Sequence, residues 1–142
     1  MRQNKFRGWD KVKKIMVYDF NDYFICMQDG ELEVANYDEG YTIELMEYIG
    51  VPDKTGKQVF EGDIMQCIDD SGEKTIFVCE YGIARRIMQS GIEVDIPSFY
   101  FLKSDGRKSF PIVKNYIGKH DLQIIEIVGN IYENPEILKT AE

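Results

Sequence analysis

The chain has 142 residues, an apolar share of 44%, an aromatic share of 13% and a formal net charge of −8. That length suits one domain that buries about 70% of its unfolded surface without staples, and no apolar run approaches the ~20 residues of a membrane span. The acidity argues against non-specific nucleic-acid binding, which depends on neutralising phosphates.

Met1-Arg2-Gln3-Asn4-Lys5 runs straight into charged sequence, which is not a signal-peptide pattern and predicts a cytoplasmic location. The charge is uneven. Arg2, Lys5, Arg7, Lys11, Lys13 and Lys14 crowd the start, and residues 15–53 contain no Lys or Arg. That span carries Asp19, Asp22, Asp29, Glu31, Glu33, Asp38, Glu39, Glu44, Glu47 and Asp53. It reads either as a solvated acidic face or as a docking surface for a basic partner.

Strand signals follow in order. Lys14-Ile15-Met16-Val17-Tyr18 is a short β-branched and aromatic run, Asp19-Phe20-Asn21-Asp22 a turn, and Tyr23-Phe24-Ile25-Cys26-Met27 a second strand. Asp29-Gly30 is a hairpin turn, from which Glu31-Leu32-Glu33-Val34 returns with clean alternation. Residues 42–49 carry Ile43, Leu45, Met46 and Ile49, a spacing that fits a strand or two helical turns.

The stretch from Glu47 to Ile64 packs two turns and a short strand. Asp53-Lys54-Thr55-Gly56 has the form of a type I turn closed by a left-handed glycine. Glu61-Gly62-Asp63 is a second reversal, with Gly62 free to take positive φ and Asp63 placed to accept backbone amides. Val59 and Phe60 between them are core candidates. Residues 63–68 and 74–81 then form the arms of a hairpin, with apolar residues on both faces, as in strands covered on two sides.

Residues 81–97 hold Gly82, Gly91 and adjacent Arg85-Arg86 in mixed polarity, and are less legible than the flanking strands. Ser98-Phe99-Tyr100-Phe101-Leu102 is a strand, and residues 103–107 a polar turn. Residues 111–120 read as a helical turn or loop, and residues 122–128 as a buried strand. Gly129 beyond it suggests a bulge or a close backbone approach. Asn134 and Pro135 suit the N-cap and first position of a short helix that Ile137 and Leu138 pin down.

Little in the chain speaks for chemistry. Cys26, Cys67 and Cys79 are odd in number, form no CxxC pair, and read as reduced core residues. His120 has no second histidine or nearby cysteine for a metal, and no nucleophile elbow accompanies it. Glu61 and Asp63 could pair for metal or acid–base work, but their spacing across a glycine fits turn capping as well. Asp69-Asp70-Ser71-Gly72 lacks the alternating acids and closing Glu of a calcium loop, and no phosphate-binding glycine loop follows a strand. No cofactor is expected. Trp9 is either a plug over a barrel end or sheet edge, burying up to about 250 Å², or an exposed binding anchor. Trp9, Arg7, Glu61 and Asp63 are the candidate interaction residues.

Three stretches resemble the YopX family of phage and prophage proteins: Lys5-Phe6-Arg7-Gly8-Trp9-Asp10; Tyr48-Ile49-Gly50 through Gly56-Lys57 to Glu61-Gly62-Asp63-Ile64; and Val128-Gly129-Asn130-Ile131-Tyr132-Glu133-Asn134-Pro135-Glu136. They come in the family's order and span nearly the whole chain. The resemblance implies a mainly β protein of phage or prophage origin with an SH3-type barrel in its C-terminal part. It brings no established activity and no catalytic residue. Residues 81–120 match no pattern of the family.

The expected architecture is therefore mainly β: an N-terminal β extension over residues 1–46 packed on an SH3-type barrel over residues 47–142, with a β-hairpin in the first part and a short C-terminal helix in the second. The expected function is a non-enzymatic protein-interaction module of a bacterial phage or prophage. The alternatives are a nucleic-acid-binding barrel and an unrecognised enzyme. A protein partner is expected, with a homo-oligomer open because short barrels often pair their edges, and no membrane.

Overall fold

The computed structural model describes residues 5–68, 70–109 and 125–140. The protein is mainly β, with eleven strands and one short helix among the described residues. The strands are β1 (Phe6–Asp10), β2 (Ile15–Val17), β3 (Tyr23–Gln28), β4 (Glu31–Asn36), β5 (Glu44–Pro52), β6 (Gln58–Phe60), β7 (Asp63–Ile68), β8 (Lys74–Ile87), β9 (Glu93–Lys103), β10 (Lys108–Ser109) and β11 (Ile125–Asn130), and the helix is α1 (Glu136–Thr140). They fall into two compact units, Met1–Gly50 and Val51–Glu142.

In the first unit β1 lies between β2 and β5, antiparallel to both, with Trp9 opposite Met16 on one side and Glu44 on the other. The β5 segment that could have been helical is a strand, because it pairs with β1 from Phe6↔Glu47 to Trp9↔Glu44. β3 and β4 form a separate hairpin, Tyr23 opposite Asn36 and Gln28 opposite Glu31. Asp29 and Gly30 at its tip both take positive φ, 54° and 80°, which is the two-residue type I′ turn that an Asp-Gly pair favours. Val34, Ala35, Ile43, Met46, Tyr48 and Ile49 supply this unit's core.

The second unit is built on a five-stranded antiparallel sheet in the order β10-β9-β8-β7-β11. The neighbouring residues Ile64 and Met65 on β7 are both fully buried, so the first half of this strand is covered on two sides, while Ile68 at its end is exposed. Val59, Phe60, Val78, Cys79 and Phe101 complete the core. β11 shifts register against β7 between Ile127 and Gly129, the bulge expected at that glycine. The expected strand start at residues 122–124 and the segment at 111–120 lie outside the described residues.

Two sequence expectations need correction. β8 and β9 are much longer than their legible parts, running to Ile87 and starting at Glu93. Their register is continuous from Phe77↔Lys103 to Ile87↔Glu93. Gly82 does not break β8: a Cβ there would come within 3.2 Å of the Tyr100 ring, so the glycine makes room for an aromatic lying across it. Nor are all three cysteines core residues. All are free, but only Cys79 is buried, while Cys26 and Cys67 are half-exposed. Thiols small enough for the interior also sit on strands that are only partly covered.

Candidate functional site

In the central motif, Asp53 is buried and its carboxylate is saturated. Oδ1 accepts the backbone N–H of Thr55 and of Lys57, both at 2.9 Å, and the Thr55 hydroxyl at 2.7 Å. Oδ2 accepts the backbone N–H of Ile127 at 3.0 Å. The turn it organises closes through Gly56 N–H to the Asp53 carbonyl, with Gly56 at φ 90°. Burial by itself would raise the pKa of Asp53, but the Ile127 amide, the Thr55 hydroxyl and the Lys57 and Thr55 amides outweigh it and hold the group below the usual carboxylate range.

Asp63 also serves a turn. It is buried, and its Oδ2 accepts the Phe60 N–H at 2.8 Å across the second reversal. Gly62 at the apex has φ 83° and binds in two directions, its N–H to the Cys79 carbonyl and its carbonyl from the Ile131 N–H. Glu61 beside it is half-buried.

In the first motif Arg7 is buried, Trp9 is half-buried in mid-strand, and the residue that organises the region is Asp10. Asp10 is 0% exposed. Its Oδ1 accepts the Val12 and Lys13 amides, and its Oδ2 accepts the hydroxyls of Tyr23 at 2.6 Å and Tyr41 at 2.7 Å. Desolvation would raise its pKa, but the Lys13 amide, the two tyrosine hydroxyls and the Val12 amide prevail and lower it. The Tyr23 hydroxyl is pushed up to about 12, first by burial and then by its bond to Asp10. Tyr41 is raised further for the same reasons. At neutral pH both phenols are protonated donors to a fixed anion, which is a structural arrangement rather than an acid–base pair.

In the third motif Asn130 takes the corresponding place. Its Oδ1 accepts the Tyr132 and Glu133 amides, and its Nδ2 donates to Glu133 Oε1. Asn134 Oδ1 accepts the Asn130 N–H at 3.2 Å, and α1 then begins at Glu136. Gly129 is required by closeness rather than by φ, because a Cβ there would lie 2.6–2.8 Å from the Asn134 side chain.

Of the candidate interaction residues, Arg7 and Asp63 present no side chain to solvent, whereas Trp9 and Glu61 are partly accessible. Arg7 and Trp9 are neighbours on β1, and Glu61 and Asp63 flank one turn. Among the described residues no three His, Cys, Asp or Glu side chains gather as metal ligands, and His120 lies outside them.

Two surface features remain in the second unit. One is an open depression of about 650 Å³ lined by Lys74, Thr75, Lys103, Ser104, Asp105 and Arg107, among others. Two of its charges are paired with each other. Arg107 donates its backbone N–H and its Nε to Asp105, at 2.9 and 2.6 Å, and thereby holds that carboxyl below its usual range, while Lys103 Nζ sits 5.8 Å from the Phe77 ring centroid.

The other is the outer part of the β8–β9 ribbon. β7 reaches only Val78 and β10 only Leu102 and Phe101, so among the described residues no third strand flanks the part between Glu80 and Tyr100. That part exposes Tyr81, Ile83, Ile87, Met88, Ile92 and Val94. Sequence reading missed this surface. The alternation of Tyr81, Ile83 and Ile87 was its available signal, masked by the two arginines and Gly82.

A mainly β protein whose motif side chains fix backbone at turns is thus defined. The chain belongs to the YopX protein family, whose model matches residues 5–139. It is also similar in fold to the crystal structure of protein EF1440 from Enterococcus faecalis, at 21% sequence identity and a TM-score of 0.50 over 97% of this chain and 99% of that one. A comparison with the curated proteins finds no match. No helix among the described residues is long and apolar enough to cross a membrane.

Proposed function

We propose that this YopX-family chain is a non-enzymatic protein-interaction module of a phage or prophage, working in the bacterial cytoplasm by binding another protein. The observation that carries the reading is the exposed apolar ribbon of β8 and β9. A two-stranded ribbon is marginal in water by itself, and this one turns Ile83, Ile87, Met88 and Ile92 to solvent. Grouped exposed apolar side chains mark protein contact surfaces. The motif carboxylates support the same reading, since Asp10, Asp53 and Asp63 spend their lone pairs on the chain's own donors. The five-stranded antiparallel order of the second unit supports an SH3-type barrel as its scaffold.

The test is site-specific photo-crosslinking in host lysate from Ile83 and Ile92, with Thr55 as the control position. The reading expects one defined adduct from both ribbon positions and none from the control. Equal labelling from all three positions, or turnover in a broad substrate screen, would overturn it.

Lys74 and Lys103 around the depression support a second reading as a nucleic-acid-binding barrel. That reading requires a salt-dependent shift of DNA or RNA, and absence of binding at about 50 mM salt would end it.

A further inference from the structure

We infer that the outer edge of β3 is a strand-addition site for an extended, basic, aliphatic segment of a partner protein. β3 pairs with β4 on one side, and among the described residues no strand pairs with its other side. An open edge offers a row of backbone donors and acceptors to any passing chain, and proteins usually guard such edges with lysine, proline, a bulge or shortness. β3 has none of these. It reads Tyr-Phe-Ile-Cys-Met-Gln, six residues with an unbroken register from Tyr23↔Asn36 to Gln28↔Glu31.

The side chains agree with the backbone. Ile25 and Met27, two positions apart and therefore on one face, are each 67% exposed. Directly opposite Ile25 on β4, Val34 is buried. The apolar face is therefore covered on its β4 side and uncovered along β3, the side that an added strand would occupy. Alternate aliphatic residues of such a strand would lie beside Ile25 and Met27 while its backbone completed the ladder.

Charge selects the occupant. No Lys or Arg occurs in residues 15–53, while Asp19, Asp22, Asp29, Glu31, Asp38 and Glu39 are exposed around the hairpin. A second copy of β3 would bring these carboxylates together and is disfavoured by like charge. A segment alternating Lys with Val or Ile matches both the sign and the pattern. This surface extends the protein-interaction reading to the first unit. It does not involve the β8–β9 ribbon, so its failure would leave the crosslinking result at Ile83 and Ile92 untouched.

The probe is a labelled synthetic ten-residue peptide alternating Lys and Val, titrated with the full chain and followed by fluorescence anisotropy at low and physiological salt. Controls are the same peptide with Glu for Lys, and one with two internal prolines. Saturable binding of the Lys-Val peptide alone is expected, with amide exchange slowed across residues 23–28. Ile25→Lys, which installs an edge guard at an exposed site, is expected to weaken binding at least tenfold without changing the melting temperature, and Met27→Lys to do the same. Glu31→Lys should weaken binding and flatten its salt dependence. Equal binding of the proline peptide, unaltered exchange in β3, or a salt-dependent dimer of the chain that Ile25→Lys abolishes would each overturn the proposal.

Discussion

Ile127 donates its backbone N–H to the Asp53 carboxylate at 3.0 Å, joining the first turn of the central motif to the last strand across 74 positions of sequence. Lys54 N–H bonds the Ile125 carbonyl next to it, and the Lys54 ammonium reaches Glu126 at 3.4 Å. The exposed ion pair adds little; the buried carboxylate holds the junction. Removing it strands the amides of Thr55, Lys57 and Ile127 together. Asp53→Ala is therefore expected to destabilise the second unit by about 1–3 kcal/mol, since the Thr55 and Lys57 amides lie on an exposed turn where water can replace the carboxylate. Lys54→Ala is expected to cost less than about 0.5 kcal/mol. Urea unfolding followed by tyrosine fluorescence measures both, and equal losses would refute the distinction.

Asp10 makes the stability of the first unit acid-sensitive. Its folded pKa lies below its unfolded value of about 3.9, so the unfolded chain binds the extra proton first as pH falls. The contribution is complete above about pH 4 and disappears as pH drops through the folded pKa. Asp10→Asn is expected to cost about 1–3 kcal/mol at pH 7 and to reduce the acid dependence below pH 4. Thermal melts between pH 2 and 7 would show the wild-type slope in that range and a shallower one in the variant. Asp53 shifts in the same direction, so some slope remains.

Gly129 and Asn134 form a close pair that a double-mutant cycle can isolate. A methyl at 129 meets Asn134 Cβ at 2.8 Å, a contact that no rotamer relieves. Gly129→Ala is expected to cost about 1–3 kcal/mol by overpacking. Asn134→Gly loses the bond to the Asn130 N–H but removes the obstacle, so the double variant should be more stable than the two single losses added together. Strict additivity would show that the bulge moves aside instead.

Ile83 and Ile87 are expected to contribute little to folding, because both are exposed. Ile83→Thr with Ile87→Thr should leave stability within about 0.5 kcal/mol per site while suppressing binding of an apolar-surface dye. A large loss of stability would mean that the ribbon is packed in solution.

What the sequence disclosed follows the range of the forces involved. Turns set by one or two residues were legible: Asp29-Gly30, Asp53 to Gly56, Gly62 and the bulge at Gly129 all appear where their chemistry places them. The duty of Asp63 toward Phe60 was legible too, since it spans three residues. Asp10 was not, because Tyr23 and Tyr41 lie 13 and 31 positions away and nothing local marks them as its donors. The outer halves of β8 and β9 were hidden because a two-stranded ribbon with no third strand beside it among the described residues tolerates arginines, a glycine and Pro97 that would disqualify a central strand. Segment 42–49 stayed ambiguous until pairing with β1 decided it.

The double engagement of Gly62, to Cys79 on one side and Ile131 on the other, bears on biosynthesis. A nascent chain that ends before Ile125 has β7 without its outer neighbour and Asp53 without its last donor. The second unit therefore cannot close its contacts until residues 125–131 have been synthesised, which places its folding late with respect to β7.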